Sequence, residues 1–222
     1  MFVLLSIIFF LVPYLLGSVA SAVWISKGLY GKDIRTLGSL NAGSTNMFRE
    51  LGFTAGALTQ VIDIGKGALA AALPFFLIKL FPTEPHSLSH WTMEMQSITC
   101  GMLSVIGHIY PVFAGFRGGK GINTLLGMML VTNPLACLIC VLFWVLVLYI
   151  TRYVAVASML GVLAYPIYLI VRSAIDGVPN NWTLVILGFC MFLLVVFTHR
   201  SNIVRLREGT EGKNPWFEGR VR

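Results

Sequence analysis

Three short polar segments of a hydrophobic chain hold most of the side chains that could do chemistry. The first polar segment, Gly38–Asn46, reads GSLNAGSTN; the second, Phe116–Gly121, reads FRGGKG; the third, Thr198–Leu206, reads THRSNIVRL. Each combines glycine, hydroxyl or amide groups with a cation that lies in the segment or directly after it. Such groups bind phosphate oxygens. The three segments are therefore candidate phosphate sites.

The second polar segment has the composition of an anion-binding turn. Gly118, Gly119 and Gly121 let backbone N–H groups approach an anion, and Lys120 adds a positive charge. The segment also opens a predicted helix, whose amino-terminal dipole favours phosphate. It is not a Walker A motif, because Ala114 stands where that pattern needs glycine and Gly121 where it needs Ser or Thr. Nucleotide hydrolysis is disfavoured, and a flexible basic turn remains the alternative.

The first polar segment is denser in hydrogen-bonding groups. Its hydroxyl and amide side chains are Ser39, Asn41, Ser44, Thr45 and Asn46, and Gly38 and Gly43 permit tight turns. If Asn46–Glu50 is helical, Asn46 and Arg49 share a face. An arginine there can hold two phosphate oxygens at once. The alternative is that Ser44, Thr45 or Asn46 caps a helix.

The third polar segment offers His199, Asn202 and Arg205. His199 could donate to phosphate or carry a proton, or it could be an ordinary hydrogen-bonded residue at the membrane surface. His108, near the end of another predicted helix, is expected to be structural.

Two opposite charges fall inside an apolar segment. Asp63 and Lys66 are spaced i, i+3 on one predicted helix. Charge inside a bilayer marks either function or a mutual ion pair, and this spacing favours the ion pair.

Composition places the chain in a membrane. It is 57% hydrophobic and 11% charged, against about 25% charged residues in soluble domains. The basic residues behind its net charge of +7 flank apolar runs, so no nucleic-acid partner is expected. The cysteines lie in apolar runs and no His, Cys, Asp or Glu set has ligand spacing, so we expect no metal and no cofactor.

We predict an all-α, polytopic membrane protein with about seven transmembrane helices, because the uncharged runs are long enough to span. Ala20–Ala22 resembles a signal cleavage site, but no basic region precedes the apolar run, which favours a retained helix. A break at Asn133-Pro134 leaves a short fourth helix. The predicted helices are Phe2–Ser26, Gly52–Leu80, Thr92–Phe113, Ile122–Thr132, a fifth after Pro134, Tyr153–Val171 and Trp182–Phe197.

The distribution of charge predicts the orientation. Most of the 16 Lys and Arg residues fall in the loops 27–52 and 114–121 and in the basic tail 199–222. By the positive-inside rule the tail is cytoplasmic and the amino terminus is outside. All three polar segments then face the cytoplasm, on one domain that covers 1–222.

The chain resembles the bacterial membrane glycerol-3-phosphate acyltransferases that take their acyl group from acyl phosphate. The resemblance covers almost the whole length in the family's order. The matching residues are Asp33-Ile34-Arg35, Gly38–Asn46 with Arg49, Asp63, Lys66-Gly67, Gly107-His108, Phe116–Gly121, Thr198-His199-Arg200, Asn202, Arg205 and Glu211.

The chain departs from the family pattern at a few positions. The family commonly has proline at Ala20, glycine at Leu40, alanine at Ser44, lysine at Arg117 and a small residue at Asn123. None of these departures removes a predicted phosphate ligand, although Leu40 could alter the backbone freedom beside Ser39.

The resemblance implies an enzyme that makes lysophosphatidic acid and inorganic phosphate from acyl phosphate and glycerol-3-phosphate, in the bacterial inner membrane. The catalytic residues would be Ser39, Arg49, Lys120, His199 and Asn202, and the substrate-binding residues Asn41, Gly43, Thr45, Asn46, Gly118, Gly119 and Gly121. Lys120 and the Gly118–Gly121 backbone would hold the acyl-phosphate head and the others glycerol-3-phosphate, or the reverse. An association with the enzyme that makes acyl phosphate is a further expectation.

Two other functions stay open. One is a transporter of a phosphorylated solute, which would place polar groups near the midplane and show repeats. The other is the same acyl transfer with acyl-CoA or acyl carrier protein as donor. The His-x4-Asp pair of the other glycerolipid acyltransferases is absent, since the residues five after His86, His90, His108 and His199 are Trp91, Met95, Phe113 and Val204. No protein base is identified, and a substrate phosphate oxygen could take the proton.

Overall fold

The computed structural model describes residues 2–81, 91–179 and 181–214, and these residues are helical or irregular, with no strand among them. The last part of the basic tail, 215–222, lies outside the described residues. The α-helices, in chain order, are α1 (Phe2–Gly17), α2 (Ser21–Tyr30), α3 (Ser44–Leu51), α4 (Phe53–Leu80), α5 (Met93–Ile109), α6 (Ile122–Thr132), α7 (Pro134–Thr151), α8 (Val154–Asp176), α9 (Trp182–Thr198) and α10 (Arg200–Arg207). The predicted all-α class is confirmed.

Several helices are long and apolar enough to cross a membrane. In the described part of the chain these are four: α4, α5 with the turn up to Ala114, α7 and α8, or six if α1–α2 and α9–α10 each form one bent span. Helix α6 has the predicted bounds and is shorter than a span. The number seven and the orientation stay predictions.

The described part of the chain divides into two compact units, one up to Asn133 and one from Pro134 onward. In the first unit, α4 packs against α6, α5, α3 and α1. The contact between α4 and α6 is close because each helix has a glycine that faces the other helix. A β-carbon added at Gly67 would collide with the carbonyl oxygen of Thr124, and one added at Gly127 with that of Ile64. The two backbones therefore touch, as in membrane helix pairs built on small residues.

Helices α1 and α5 are joined by the same kind of contact. A β-carbon at Gly17 would collide with the carbonyl of Ser104, and one at Gly107 with that of Tyr14. Glycine on both helices thus fixes the distance between them.

The prediction of a single first helix, Phe2–Ser26, is wrong. The chain leaves the helix after Gly17 and starts a new one at Ser21, with a bend of 41°. The break turns the carbonyl of Val19 toward Lys66, whose Nζ donates to it at 2.8 Å. The Ser21 N–H also donates to this carbonyl, at 3.1 Å, so the cation from another helix is a second donor to a carbonyl that the regular helix has released. The apolar run gives no sign of this, because the partner lies far along the chain.

In the second unit, α8 packs between α7 and α9. A hydrogen bond from Trp144 Nε1 to Ser158 Oγ, at 3.3 Å, joins α7 to α8. After a bend of 59° at the end of α9 the chain continues as α10. The third polar segment lies after Phe197, where the last predicted helix ends, and the structure corrects this prediction because most of the segment forms α10.

Candidate active site

The first polar segment is organised around the side chain of Asn46. Only 1% of this residue is exposed. Its Nδ2 donates to the carbonyls of Ile34, Leu37 and Asn41 at 3.2, 3.0 and 3.1 Å, and its Oδ1 accepts from the N–H of Ser39 at 3.0 Å. Sequence reasoning placed Asn46 among the substrate ligands. The geometry supports a brace that holds the loop and, through it, the backbone of Ser39.

Helix α3 begins inside this segment and includes Asn46–Glu50, so the condition under which Asn46 and Arg49 share a helical face is met. Its N-cap is Gly43, and no side chain caps it. The alternative that Ser44, Thr45 or Asn46 is there to cap the helix is therefore wrong. Arg49 lies half-buried in the last turn of α3.

Two residues of the first segment have a left-handed backbone. Gly38 has φ 51° and Leu40 has φ 59°. A β-carbon at Gly38 would collide with Glu50 Oε1 and lie 2.5 Å from Asn46 Oδ1. Leu40 is 63% exposed. A leucine in this conformation is strained, which gives a physical reason for the glycine that the family pattern has there.

The second polar segment is attached to the end of α5. The N–H groups of Gly118 and Gly119 donate to the carbonyls of Ile109 and His108 at 3.2 and 3.1 Å. A β-carbon at Gly118 would collide with the His108 carbonyl, and one at Gly119 with the His108 ring while lying 2.7 Å from the Ala42 carbonyl. These two glycines are thus required for close packing. The expectation that their N–H groups are presented to phosphate is not supported, because both are engaged within the protein.

Lys120 and Gly121 complete the second segment. Lys120 is half-buried. Gly121 has φ 86° and is the N-cap of α6, again without a side-chain cap. The prediction that the segment opens the fourth helix is confirmed, and Lys120 directly precedes the N-cap of that helix.

The structure brings the first and second segments together. Asn123 Nδ2, in the first turn of α6, donates to Ser44 Oγ, in the first turn of α3, at 2.9 Å. Gly119 packs against Ala42. Two of the departures from the family pattern, Ser44 and Asn123, are thus partners of each other, which sequence reasoning did not foresee.

A cluster of charged residues around Asp33, which lies between α2 and α3, adds a further link. Arg35 donates to both oxygens of Asp33, at 3.0 and 2.8 Å, and its Nη1 donates to the Ala114 carbonyl at 2.8 Å, just before the second segment. Lys27 Nζ lies 3.1 Å from Asp33 Oδ2. The hydrogen bond from Arg35 holds the pKa of Asp33 well below its usual range, and Asp33 in turn raises the pKa of Arg35.

A buried polar cluster lies next to Gly119 of the second segment. The predicted ion pair is confirmed, since Lys66 Nζ lies 2.8 Å from Asp63 Oδ1. The same oxygen accepts from Ser21 Oγ at 2.7 Å and lies 3.4 Å from His108 Nδ1. Sequence reasoning gave His108 a structural role but did not place it beside Asp63, because the two residues lie on different helices.

In the second unit, the third polar segment forms its own polar group. Asn202 Nδ2 donates to Glu211 Oε1 and Arg205 Nε to Glu211 Oε2, both at 2.7 Å. His199 is 4% exposed, and its Nδ1 lies 2.8 Å from the Val195 carbonyl. A carbonyl only accepts, so Nδ1 carries the proton and Nε2 is the acceptor of the neutral ring. Sequence reasoning missed the role of Glu211, which orients two of the predicted residues.

Comparison with known proteins gives one family. The family model for glycerol-3-phosphate acyltransferase matches residues 7–209. A glycerol-3-phosphate acyltransferase of Salinibacter ruber is 42% identical over 211 residues, covering 94% of this chain and 92% of the relative. One from Listeria monocytogenes is 40% identical over 207 residues, covering 93% and 96%.

Two solved structures have the same fold. Both are crystal structures of PlsY (YgiH), an integral membrane glycerol 3-phosphate acyltransferase, and each is 32% identical over 94% of both chains. The glycerol 3-phosphate form matches with a TM-score of 0.76 and the lysophosphatidic acid form with 0.72. None of these comparisons supports the transporter alternative. Matches over nearly the full length, to sequences and to structures alike, show that this chain belongs to the glycerol-3-phosphate acyltransferase family and is a membrane enzyme of that family.

Proposed function

We propose that this enzyme transfers a fatty acyl group from acyl phosphate to glycerol-3-phosphate and releases lysophosphatidic acid and inorganic phosphate. The observation that carries the proposal is the contact between the first and second polar segments at Ala42 and Gly119, reinforced just after the second segment by the hydrogen bond from Asn123 to Ser44. Two segments with phosphate-binding chemistry lie side by side in a membrane protein, and the proposed reaction brings two phosphates together. The related PlsY structures are a glycerol 3-phosphate form and a lysophosphatidic acid form.

The second segment would hold the acyl-phosphate head. With the N–H groups of Gly118 and Gly119 engaged, Lys120 is the chief donor, together with the amino end of α6 at Gly121. A membrane-embedded acyl tail and a head at the edge of the bilayer fit a cation at this position.

The first segment would hold glycerol-3-phosphate. Ser39, Asn41, Gly43 and Thr45 supply short polar groups and backbone, and the Arg49 guanidinium can hold two phosphate oxygens. His199 and Asn202 serve the same reaction in this proposal, as donor or acceptor groups for the reacting hydroxyl. The reverse assignment of the two phosphates is the alternative.

The reaction needs little covalent help from the protein. The glycerol hydroxyl oxygen attacks the acyl carbonyl carbon, the bond from that carbon to the phosphate oxygen breaks, and the hydroxyl proton goes to a phosphate oxygen. Acyl phosphate is a mixed anhydride, so its leaving group is already good. The enzyme then works by holding the two reactants in place and by stabilising the negative charge that develops.

We place the site at the cytoplasmic face of the inner membrane, in a single domain over 1–222. The support is the charge distribution, because Lys27, Lys32 and Arg35 lie near the first segment and Arg117 and Lys120 in the second. Acyl phosphate and glycerol-3-phosphate are both anions that the cytoplasm can supply. The enzyme that makes acyl phosphate is a natural partner there.

The test is a reconstituted enzyme given glycerol-3-phosphate with acyl phosphate, acyl-CoA or acyl carrier protein as the single donor. We expect lysophosphatidic acid only with acyl phosphate. Lys120→Ala and Arg49→Ala should each lower turnover by roughly 10²-fold, as when a charge-stabilising donor is removed. Lys32→Ala is the matched control, because Lys32 is an exposed cation near the first segment. Near-normal turnover in both site variants, or product only with another donor, would overturn the proposal.

A further inference from the structure

The buried polar cluster contains more than an ion pair requires. Asp63, Lys66 and His108 are 1%, 5% and 7% exposed. Ionisable groups inside a membrane protein are costly and usually functional. Lys66 alone would neutralise Asp63, yet Ser21 and His108 also direct donors to the same carboxylate oxygen. The arrangement holds His108 in addition to balancing charge.

The position of the His108 ring follows from this contact. A carboxylate only accepts, so Nδ1 carries the proton toward Asp63 Oδ1, 3.4 Å away, and Nε2 is unprotonated in the neutral ring. Asp63 cannot swing away, because Ser21 Oγ and Lys66 Nζ hold the same oxygen at 2.7 and 2.8 Å. Lys66 is fixed in turn by the Val19 carbonyl. The imidazole is therefore held in one orientation.

The opposite edge of that ring lies against Gly119. A β-carbon on Gly119 would collide with His108 Nε2 and would lie 3.0 Å from Cε1. The main-chain carbonyl of His108 accepts the Gly119 N–H at 3.1 Å. On its other side Gly119 meets the carbonyl of Ala42, which belongs to the first polar segment. Gly119 is thus enclosed between the His108 ring and the first segment.

We propose that His108, oriented by Asp63, is a positioning residue that sets the distance between the first and second polar segments, and so the place of Lys120 relative to the group bound by the first segment. The ring acts through Gly119 and touches no reacting atom. Its effect on the donor substrate rests on the proposed function, but its effect on the packing of Gly119 does not.

Two substitutions at His108 test the roles of its two ring nitrogens separately. The amide nitrogen of His108→Asn can take the place of Nδ1 toward Asp63 but leaves nothing where Nε2 lies, whereas His108→Gln reaches the Nε2 position. We expect His108→Asn to fold and to show a several-fold rise in KM for the substrate of the second segment, with the KM of the other substrate little changed. His108→Gln should lie closer to wild type. If the KM of each substrate were the same in His108→Asn as in wild type, the proposal would be overturned.

A pair of glycine variants gives the sharper test. Gly118→Ala and Gly119→Ala both insert a methyl group into the same loop, but the first collides with the main-chain carbonyl of residue 108 and the second with its ring. Both single variants should lose activity at least about 10-fold by analogy with small displacements of a bound reactant. Adding His108→Asn should restore part of the activity and of the Tm to Gly119→Ala and none to Gly118→Ala.

The outcomes are distinct. Restoration of both glycine variants, or of neither, would overturn the positioning role. Tm records the restoration without any substrate, and lysophosphatidic acid can be scored with whichever donor the wild-type enzyme accepts. A wild-type enzyme inactive with acyl phosphate would therefore refute the proposed function and still leave the test of His108 intact.

Discussion

Replacing Asn46 by aspartate decides whether this residue braces the first polar segment or binds substrate. The two side chains have nearly the same shape, so the change removes the two amide protons and adds a negative charge. Those protons serve the carbonyls of Ile34, Leu37 and Asn41. In Asn46→Asp a carboxylate oxygen would take the place of Nδ2 and face the same carbonyl oxygens. Because only 1% of the residue is exposed, water could not relieve this repulsion.

The size of the effect follows from these contacts. Leaving a buried charge uncompensated costs roughly 3 to 5 kcal/mol in total, and this figure includes the loss of two buried hydrogen bonds at about 1 kcal/mol each. For a chain of this length, 1 kcal/mol corresponds to about 2 to 4 °C in Tm. We therefore expect Asn46→Asp to lower Tm by on the order of 10 °C and to remove most of the acyltransferase activity.

The assay is thermal unfolding of the purified protein in detergent, followed by intrinsic fluorescence, next to a rate measurement below the transition. Asn41→Asp is the matched control, because it places the same charge in the same segment on a half-buried side chain. Its Tm should stay within a few degrees of wild type by the usual size of such changes. If Asn46→Asp lost activity with an unchanged Tm, Asn46 would be a substrate ligand and the reasoning from its hydrogen bonds would be refuted.

Three further predictions follow from the same region. Leu40→Gly should raise Tm by a few degrees, because it removes a left-handed strain of about 1 to 2 kcal/mol that outweighs the entropy cost of glycine; a lower Tm would contradict this, and Leu40→Ala should gain nothing. In a double-mutant cycle, Ser44→Ala and Asn123→Ala should show a coupling energy of about 0.5 to 1.5 kcal/mol in stability, whereas strictly additive effects would mean that their hydrogen bond contributes nothing. The stabilisation that Asp33 gains from Arg35 should be fully present above the ordinary carboxyl pKa of 3.8 and be lost as the pH falls toward the lower pKa of the folded state. The difference in Tm between wild type and Asp33→Asn should therefore shrink below pH about 4. A difference in Tm that stays constant down to pH about 3 would contradict this prediction.

The sequence predicted most of the fold because long uncharged runs admit few structures in a membrane. Helix α6 was predicted at its observed bounds, since Gly121 precedes it and Asn133-Pro134 ends it. The break after Gly17 was missed, because the run through it is apolar and Lys66, whose cation also donates to the Val19 carbonyl, lies on another helix. Helix α10 was missed because its sequence is polar and lacks the apolar periodicity by which helices are recognised.

The site was predicted by residue type more than by role. The ion pair of Asp63 with Lys66 follows from spacing along one helix, and the structure contains it. Contacts between distant parts of the chain, such as His108 with Asp63 and Asn202 with Glu211, leave no local pattern and could not be read from one sequence. The role of Gly119 could not be predicted either. A glycine in a sequence is compatible both with a backbone N–H that binds a ligand and with close packing against a neighbouring ring.

The backbone contacts at Gly67, Gly127, Gly17 and Gly107 also restrict where the fatty tail can go. At each of them an added methyl group would collide with the facing helix, so there is no space for a hydrocarbon chain between α4 and α6 or between α1 and α5 at these contacts. We therefore expect that, in the proposed reaction, the tail of the donor lies outside these two helix pairs while its head is held at the second polar segment. Under that proposal the bilayer would solvate the tail, and the product would leave sideways into the membrane while these two helix pairs stay together.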